Sequence, residues 1–177
     1  MIYEPNEDSY LIEKEVKKYA KGKKILDMGS GSGILAQAAI DAGAKEVLAA
    51  DVDSESLRHL RKLGIPTKKS NLFDNIEGKF EMIIFNPPYL PEDNNEDFES
   101  KRATTGGKKG DEIILNFLKK ADKFLNNDGI ILLLLSSLTP RNKINKLIEK
   151  KKYKIEILTK KKLFFEILEV CKLERKA

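Results

Sequence analysis

The chain is short of the residues that build covalent or metal frameworks. Cys171 is its one cysteine and His59 its one histidine, so no intrachain disulfide can form and no Cys/His zinc set can be assembled. Tryptophan is absent and aromatic residues make up 7% of the chain. No aromatic-rich basic surface of the kind that stacks single-stranded bases stands out. Long apolar runs are missing too. The most apolar stretch, Gly129 to Leu135, falls far short of the roughly 20 residues that span a bilayer. The opening Met-Ile-Tyr-Glu-Pro lacks the basic-then-apolar pattern of a secretory signal. These absences lead to the expectation of a cytoplasmic protein with no membrane role and no metal site.

What is present describes one soluble domain spanning residues 1–177. Hydrophobic residues account for 41% and charged residues for 34% of the sequence, with a formal net charge of +5. The sequence pI near 9.1 permits an anionic partner such as RNA. Most of the lysines, however, alternate with glutamates and read as a solvated face. Abundant Lys, Glu and Ile also fit a heat-adapted cytosolic protein. His59, between Arg58 and Arg61, is expected to face solvent, and Cys171 to be a small buried hydrophobe.

Along the chain, strand and helix patterns alternate. A helix is predicted from Asn6 or Glu7 to Tyr19, a strand over Lys23 to Met28, and an Ala-rich helix over Ile34 to Asp41. Val47 to Ala50 is a second strand ending at Asp51, Ser54 to Leu63 a helix, and Ile65 to Ser70 a short third strand. Phe80 to Phe85 is the fourth. A polar loop then runs from Leu90 to Lys109, with Glu92, Asp93, Glu96, Asp97 and Glu99 in its acidic half. Asp111 to Leu125 reads as an amphipathic helix, Asn126 to Gly129 as a turn, and Ile130 to Leu135 as a strand covered on both faces. A basic helix is predicted from Pro140 to Lys150. Two strands close the chain, Tyr153 to Thr159 and Phe164 to Lys172, joined by Lys160-Lys161-Lys162. This alternation predicts a doubly wound α/β domain.

Two stretches carry chemistry. Asn86-Pro87-Pro88-Tyr89 ends the fourth strand, because consecutive prolines have no N–H to offer a sheet. Pro87 also restrains Asn86. The result is a rigid amide beside an aromatic ring at the carboxyl end of a strand, where open α/β sheets bind ligands. The second stretch, Asp27-Met28-Gly29-Ser30-Gly31-Ser32-Gly33, frees backbone N–H groups at a helix start. Its third glycine comes one residue too early for the dinucleotide fingerprint. Asp51 suits the two hydroxyls of a ribose, and Asp27 a cationic amino-acid moiety. That combination fits S-adenosyl-L-methionine, whose demethylated product is S-adenosyl-L-homocysteine.

On these residues the chain resembles class I S-adenosylmethionine-dependent methyltransferases, Rossmann-like enzymes with a seven-stranded, mostly parallel sheet and a C-terminal antiparallel strand. Tyr3-Glu4-Pro5-x-Glu7-Asp8-Ser9 and Gly106-Gly107-Lys108-Lys109-Gly110 narrow the resemblance. Both look like the small stand-alone relatives of the HemK protein-glutamine N5-methyltransferases, which methylate the Gly-Gly-Gln glutamine of class 1 translation release factors.

The resemblance implies that residues 1–22 cover the cofactor, with Ser9 touching it. It further implies that Asp27 and Gly29 hold its methionine end, Asp51 its ribose, and Asn71 and Leu72 its adenine, with Gly31 and Asn86 also binding the cofactor. Many relatives have Asp in place of Asn71. Asn86, Pro87, Pro88 and Tyr89 would form the catalytic wall. A small zinc-binding activator protein is implied as a heterodimer partner, paired along the exposed third strand. The tetrapeptide is shared with adenine-N6 methyltransferases, so a nucleic-acid substrate is the alternative expectation.

Overall fold

A computed structural model describes residues 2–93 and 98–177. Glu96 and Asp97 of the acidic loop lie outside the described residues.

Seven strands form one sheet, whose central members are apolar on both sides of the pleat and whose edge members are largely polar and exposed. They are β1 (Lys24–Met28), β2 (Glu46–Asp51), β3 (Thr67–Lys69), β4 (Phe80–Phe85), β5 (Leu125–Ser136), β6 (Tyr153–Lys162) and β7 (Ile167–Arg175). Their spatial order is β3-β2-β1-β4-β5-β7-β6. Neighbours from β3 to β5 pair in parallel, and β7 runs antiparallel to both β5 and β6. The expected architecture is therefore present, with β3 as one edge.

Among the described residues six helices, α1 (Glu7–Tyr19), α2 (Ile34–Asp41), α3 (Ser54–Lys62), α4 (Phe98–Thr104), α5 (Glu112–Ala121) and α6 (Asn142–Lys150), accompany the sheet. Successive side chains on a strand point to opposite faces, and the core divides accordingly. Ile25, Met82, Ile84, Leu132 and Leu134 pack with α1, α2 and α3 on one side. Leu26, Ile83, Phe85, Leu133 and Leu135 pack with α5 and α6 on the other. Cys171 lies fully buried in that second layer.

Several boundaries differ from the sequence reading. The loop predicted over Leu90 to Lys109 contains α4. Asn126 to Gly129 is a bulge inside β5, where the pairing jumps from Phe80↔Leu125 to Met82↔Ile130. The helix predicted to reach Leu125 ends at Ala121 and tightens into a 3-10 turn, Asp122–Phe124. Lys160 to Lys162 belong to β6 and pair with Glu169, Leu168 and Ile167, so the final turn falls later, at residues 163–166. Among the described residues no helix is long and apolar enough to cross a membrane.

Candidate functional site

The strand order reverses between β1 and β4, which leave the middle of the sheet in opposite directions. Such a switch point opens a crevice at the carboxyl ends of the strands. Met28 pairs with Phe85, so the glycine turn after β1 and the Asn-Pro-Pro-Tyr stretch after β4 begin side by side. Both line a cavity of about 690 Å³. Ser9, Gly29, Gly31, Asp51, Asn71, Leu72, Asn86, Pro87, Pro88 and Tyr89 all reach it. Ten of the eleven residues picked from the sequence thus share one wall system.

Asp27 is the exception. It is 1% exposed and lies behind the turn, with Ser30 Oγ donating to its Oδ2 at 2.6 Å. Its Oδ1 is buried and makes no well-formed hydrogen bond, although the Ala36 N–H lies near enough to the carboxyl to favour its ionised form. Burial pushes the Asp27 carboxyl up to about 7, against the hydrogen bond from Ser30 and with added repulsion from Asp51. A lone pair left empty in the interior is costly, and a donor or cation arriving there would relieve it.

The turn itself is shaped by left-handed backbone. Gly31 has φ +55° and Gly33, capping α2, has φ +86°. A Cβ at Gly33 would sit 2.6 Å from Leu60 Cδ2, the movable end of a side chain, so it is the left-handed backbone that calls for glycine at this position. Asp51 fixes the turn from the side: Gly31 N–H donates to Oδ2 at 2.8 Å and Asp53 N–H to Oδ1 at 2.9 Å. Each oxygen keeps a second lone pair for a ligand. His59 is half-buried, its Nε2 lying 3.1 Å from the Ser32 carbonyl oxygen. The expectation of a solvent-facing His59 is corrected, because the sequence pattern of α3 could not reveal the glycine turn packed against it.

Across the cavity, Leu72 takes φ +49°, an unusual conformation for a branched side chain. Ser70 holds it there: its hydroxyl donates to the Leu72 carbonyl at 2.6 Å and accepts from Asn75 N–H at 2.9 Å. Asn71 and Leu72 thereby meet the cavity as a fixed corner rather than as a loose loop.

The centre of the site is a carboxylate that sequence reasoning passed over. Asp8, 5% exposed, accepts from Asn86 Nδ2 at 3.4 Å, from Tyr3 Oη at 3.3 Å and from its neighbour's backbone, Ser9 N–H, at 2.8 Å. Ser9 Oγ also accepts from Asn6 N–H at 3.4 Å, which makes it part of the α1 cap. With its amide nitrogen turned to Asp8, Asn86 leaves Oδ1 buried and unpartnered. Burial, followed by the charge of Asp8, raises the Tyr3 phenol, and burial with Asp8 and Glu166 does the same for Tyr89. Both rings therefore stay protonated, and each hydroxyl keeps a proton to donate while its ring can stack. Glu166 reaches the cavity from the β6–β7 turn and is anchored by a short hydrogen bond from Ser136 Oγ.

Behind the tetrapeptide the glycine-rich stretch 106–110 acts as a backbone buttress. A Cβ on Gly106 would lie 2.3 Å from the Gly110 carbonyl oxygen and 2.6 Å from that of Pro88. One on Gly110 would lie 2.7 Å from the Tyr89 carbonyl oxygen. Main chain packs on main chain here, which only glycine allows. Gly106 N–H donates to the Leu90 carbonyl at 2.9 Å, and Thr139 Oγ1 to that of Tyr89 at 2.7 Å.

The sequence profile described as "Methyltransferase small domain" matches residues 7–169. The chain belongs to this methyltransferase family. A protein of Methanocaldococcus jannaschii, provisionally named protein N5-glutamine methyltransferase, is 36% identical over 96% of this chain and 89% of its own length. Ribosomal protein L11 methyltransferase of Lactobacillus acidophilus is 29% identical over 79% of this chain, which spans 40% of that enzyme. Among solved structures, the E. cuniculi Mtq2–Trm112 complex responsible for methylation of the termination factor eRF1 superposes with a TM-score of 0.81. It covers 98% of both chains at 23% identity, and at that identity the likeness speaks for the fold. In this methyltransferase the crevice, the glycine turn and the strand-end amide occupy one end of the sheet.

Proposed function

We propose that this methyltransferase uses S-adenosyl-L-methionine to methylate the side-chain amide of a glutamine in the Gly-Gly-Gln loop of a class 1 translation release factor. The observation that carries the reading is Asn86, which lines the cavity while its Oδ1 is enclosed and has no hydrogen-bond partner. A turn of this side chain brings that unpartnered acceptor to an N–H of an incoming planar group. The name of the 36% identical M. jannaschii relative supports glutamine as that group.

The donor residues fit the cofactor. Asp51 beside the Gly31 turn suits its ribose, the Asn71–Leu72 corner its adenine, and the empty Oδ1 of Asp27 the ammonium of its methionine end. Reaching Asp27 requires the Gly29–Ser30 turn to yield. Ser9 stands at the rim, beneath the N-terminal segment. When bound, the cofactor supplies a sulfonium methyl, already a good electrophile. The chain's own task is alignment and electrostatics. Asn86 Oδ1 and the Pro87 carbonyl accept the two N–H bonds of the substrate amide, turning its nitrogen lone pair toward the cofactor. Asp8 keeps Asn86 in the accepting orientation. Tyr89 packs against the amide plane, and Pro88 keeps the segment rigid. No base need act before transfer, since the proton on nitrogen becomes acidic only as the new bond forms.

The partner belongs to the same reading. That partner is a small zinc-binding activator adding a strand to the edge strand β3; the E. cuniculi neighbour, solved as a complex with Trm112, supports the heterodimer. A lone chain that is stable and fully active would refute that part. The substrate is tested with radiolabelled cofactor offered to a purified release factor, its Gln-mutated version, ribosomal protein L11, tRNA and DNA in parallel. Label on the release factor that disappears with the glutamine is expected. Label confined to nucleic acid or to L11 would overturn the assignment.

A further inference from the structure

Between β6 and β7 the chain turns through Leu163, Phe164, Phe165 and Glu166. Phe164 is 91% and Phe165 83% exposed, more than any other large apolar side chain among the described residues. Their rings meet edge to face with centroids 4.4 Å apart. Leaving two phenylalanines in water forfeits the burial that ordinarily stabilises aromatic side chains. A contiguous apolar patch of this kind marks a contact site.

The turn is rigidly mounted. Leu163 N–H donates to the Glu166 carbonyl at 2.8 Å, and Leu163 packs on the core beneath. On the β7 side, Ile167 N–H donates to Ser137 Oγ at 2.8 Å and Ser137 N–H to the Ile167 carbonyl at 2.9 Å. Glu166, the residue after the aromatic pair, lines the cavity. The pair therefore directly precedes in sequence a residue of the cavity wall.

Charge on the cavity side of the tip favours a protein surface over a phosphate-bearing partner. Of the three lysines before the tip, Lys160 meets Glu169 at 3.4 Å, a carboxylate shared with Arg141, Lys161 pairs with Glu7 of α1, and Lys162 is exposed. The carboxylate of Glu166 faces the cavity that a polyanion would have to enter.

We propose that Phe164 and Phe165 form a docking knob that grips an apolar patch on the folded protein presenting the glutamine. This rests on the glutamine-methyltransferase reading. A Gly-Gly-Gln loop has two residues without side chains, so the pocket can recognise little of it beyond the glutamine. Selectivity for an intact protein must come from surface outside the pocket, and the exposed pair supplies rigid aromatic area with few rotatable bonds.

The test compares the full chain, with any subunit that co-purifies, against the double variants F164S/F165S and F164L/F165L. Each is assayed on an intact release factor and on a short synthetic peptide spanning its Gly-Gly-Gln loop. The serine variant is expected to raise KM for the intact protein about tenfold or more. Its kcat, its rate on the peptide and its affinity for S-adenosyl-L-homocysteine should stay within about twofold, because the peptide never reaches the tip. The leucine variant should recover most of the loss. An unchanged KM for the intact protein, or equal losses on protein and peptide, overturns the docking role while the glutamine reading stands. A wild-type enzyme inactive on both substrates sinks that reading first and the knob with it. Loss of a co-purifying subunit, of RNA binding or of binding to anionic lipid vesicles in the serine variant reassigns the tip and likewise overturns the proposal.

Discussion

Asp8 and Asn86 lie 78 positions apart in the chain and meet at 3.4 Å, carboxylate to amide nitrogen. The contact ties the first turn of α1 to the end of β4, and it fixes the orientation of the Asn86 carboxamide. A carboxylate can only accept, so Asn86 must offer it the nitrogen, which leaves Oδ1 as the unpartnered atom of the amide.

Replacing Asp8 by Ala removes that constraint and leaves the amide free to rotate. The expected cost is about 10- to 100-fold in kcat, the range for losing an orienting outer partner. Cofactor affinity should change little. Steady-state kinetics beside calorimetric titration of S-adenosyl-L-homocysteine checks this, and an unaltered kcat would remove Asp8 from the machinery.

Asn86→Ala deletes the acceptor itself. Loss of one preorganised hydrogen-bonding group at a reacting centre costs about 10²–10³ in kcat, and more where a second contact is lost with it. Binding of S-adenosyl-L-homocysteine should survive. Near-normal turnover in this variant would defeat the proposed mechanism.

Asp27 makes the ligand-free protein sensitive to pH. Its folded carboxyl titrates at about 7, against the ordinary 3.8. The raised value means that Asp27 adds stability fully below pH ~3.8 and that this is lost as pH rises through about 7. The same ionisation creates the anion that would hold the cofactor ammonium. Cofactor affinity should therefore rise between pH 6 and 8, whereas an Asp27→Asn variant should bind weakly with no slope in that window. Titration calorimetry across the range decides it, and equal slopes in both proteins would exclude Asp27 as the cause.

Gly106→Ala pushes a methyl into two carbonyl oxygens, neither of which belongs to a flexible side chain. Overpacking of this kind costs about 1–3 kcal/mol, and the strain falls on the segment that carries Pro88. A lower melting temperature together with reduced kcat is expected. A drop in stability with full kcat would mean that the buttress supports the fold and not the tetrapeptide.

The parts of the site legible in the sequence were those whose role is local. Asn86-Pro87-Pro88-Tyr89 ends a strand by its own chemistry, and Gly29 to Gly33 turns a strand into a helix by its own backbone. Ile130 to Leu135 advertises a strand covered on both faces. Asp8 was not legible, because an acid in the first turn of a helix already has a sufficient local reason to be there. Only the packing of α1 over the β4 end gives it Asn86 as a partner. Glu166 escaped for a similar reason: the lysine run before it suggested a turn, yet β6 continues through Lys162. The helix Phe98–Thr104 lacks a clear apolar stripe, so it read as part of a loop. The Asn71–Leu72 corner was placed correctly, but its left-handed residue could not be foreseen from a leucine.

One feature of the sheet bears on how the enzyme fails under heat. The strand β7 sits between β5 and β6, although β6 comes before it in the chain, so the two C-terminal strands join β5 as a preformed ribbon. If that ribbon peels away, it lays bare the backbone of Ile130–Leu135 as a ready template for other copies to zip onto. It also carries off Glu166 from the cavity wall. Thermal inactivation should accordingly be irreversible and concentration-dependent, with clumping following the first loss of the sheet margin rather than complete unravelling of the chain.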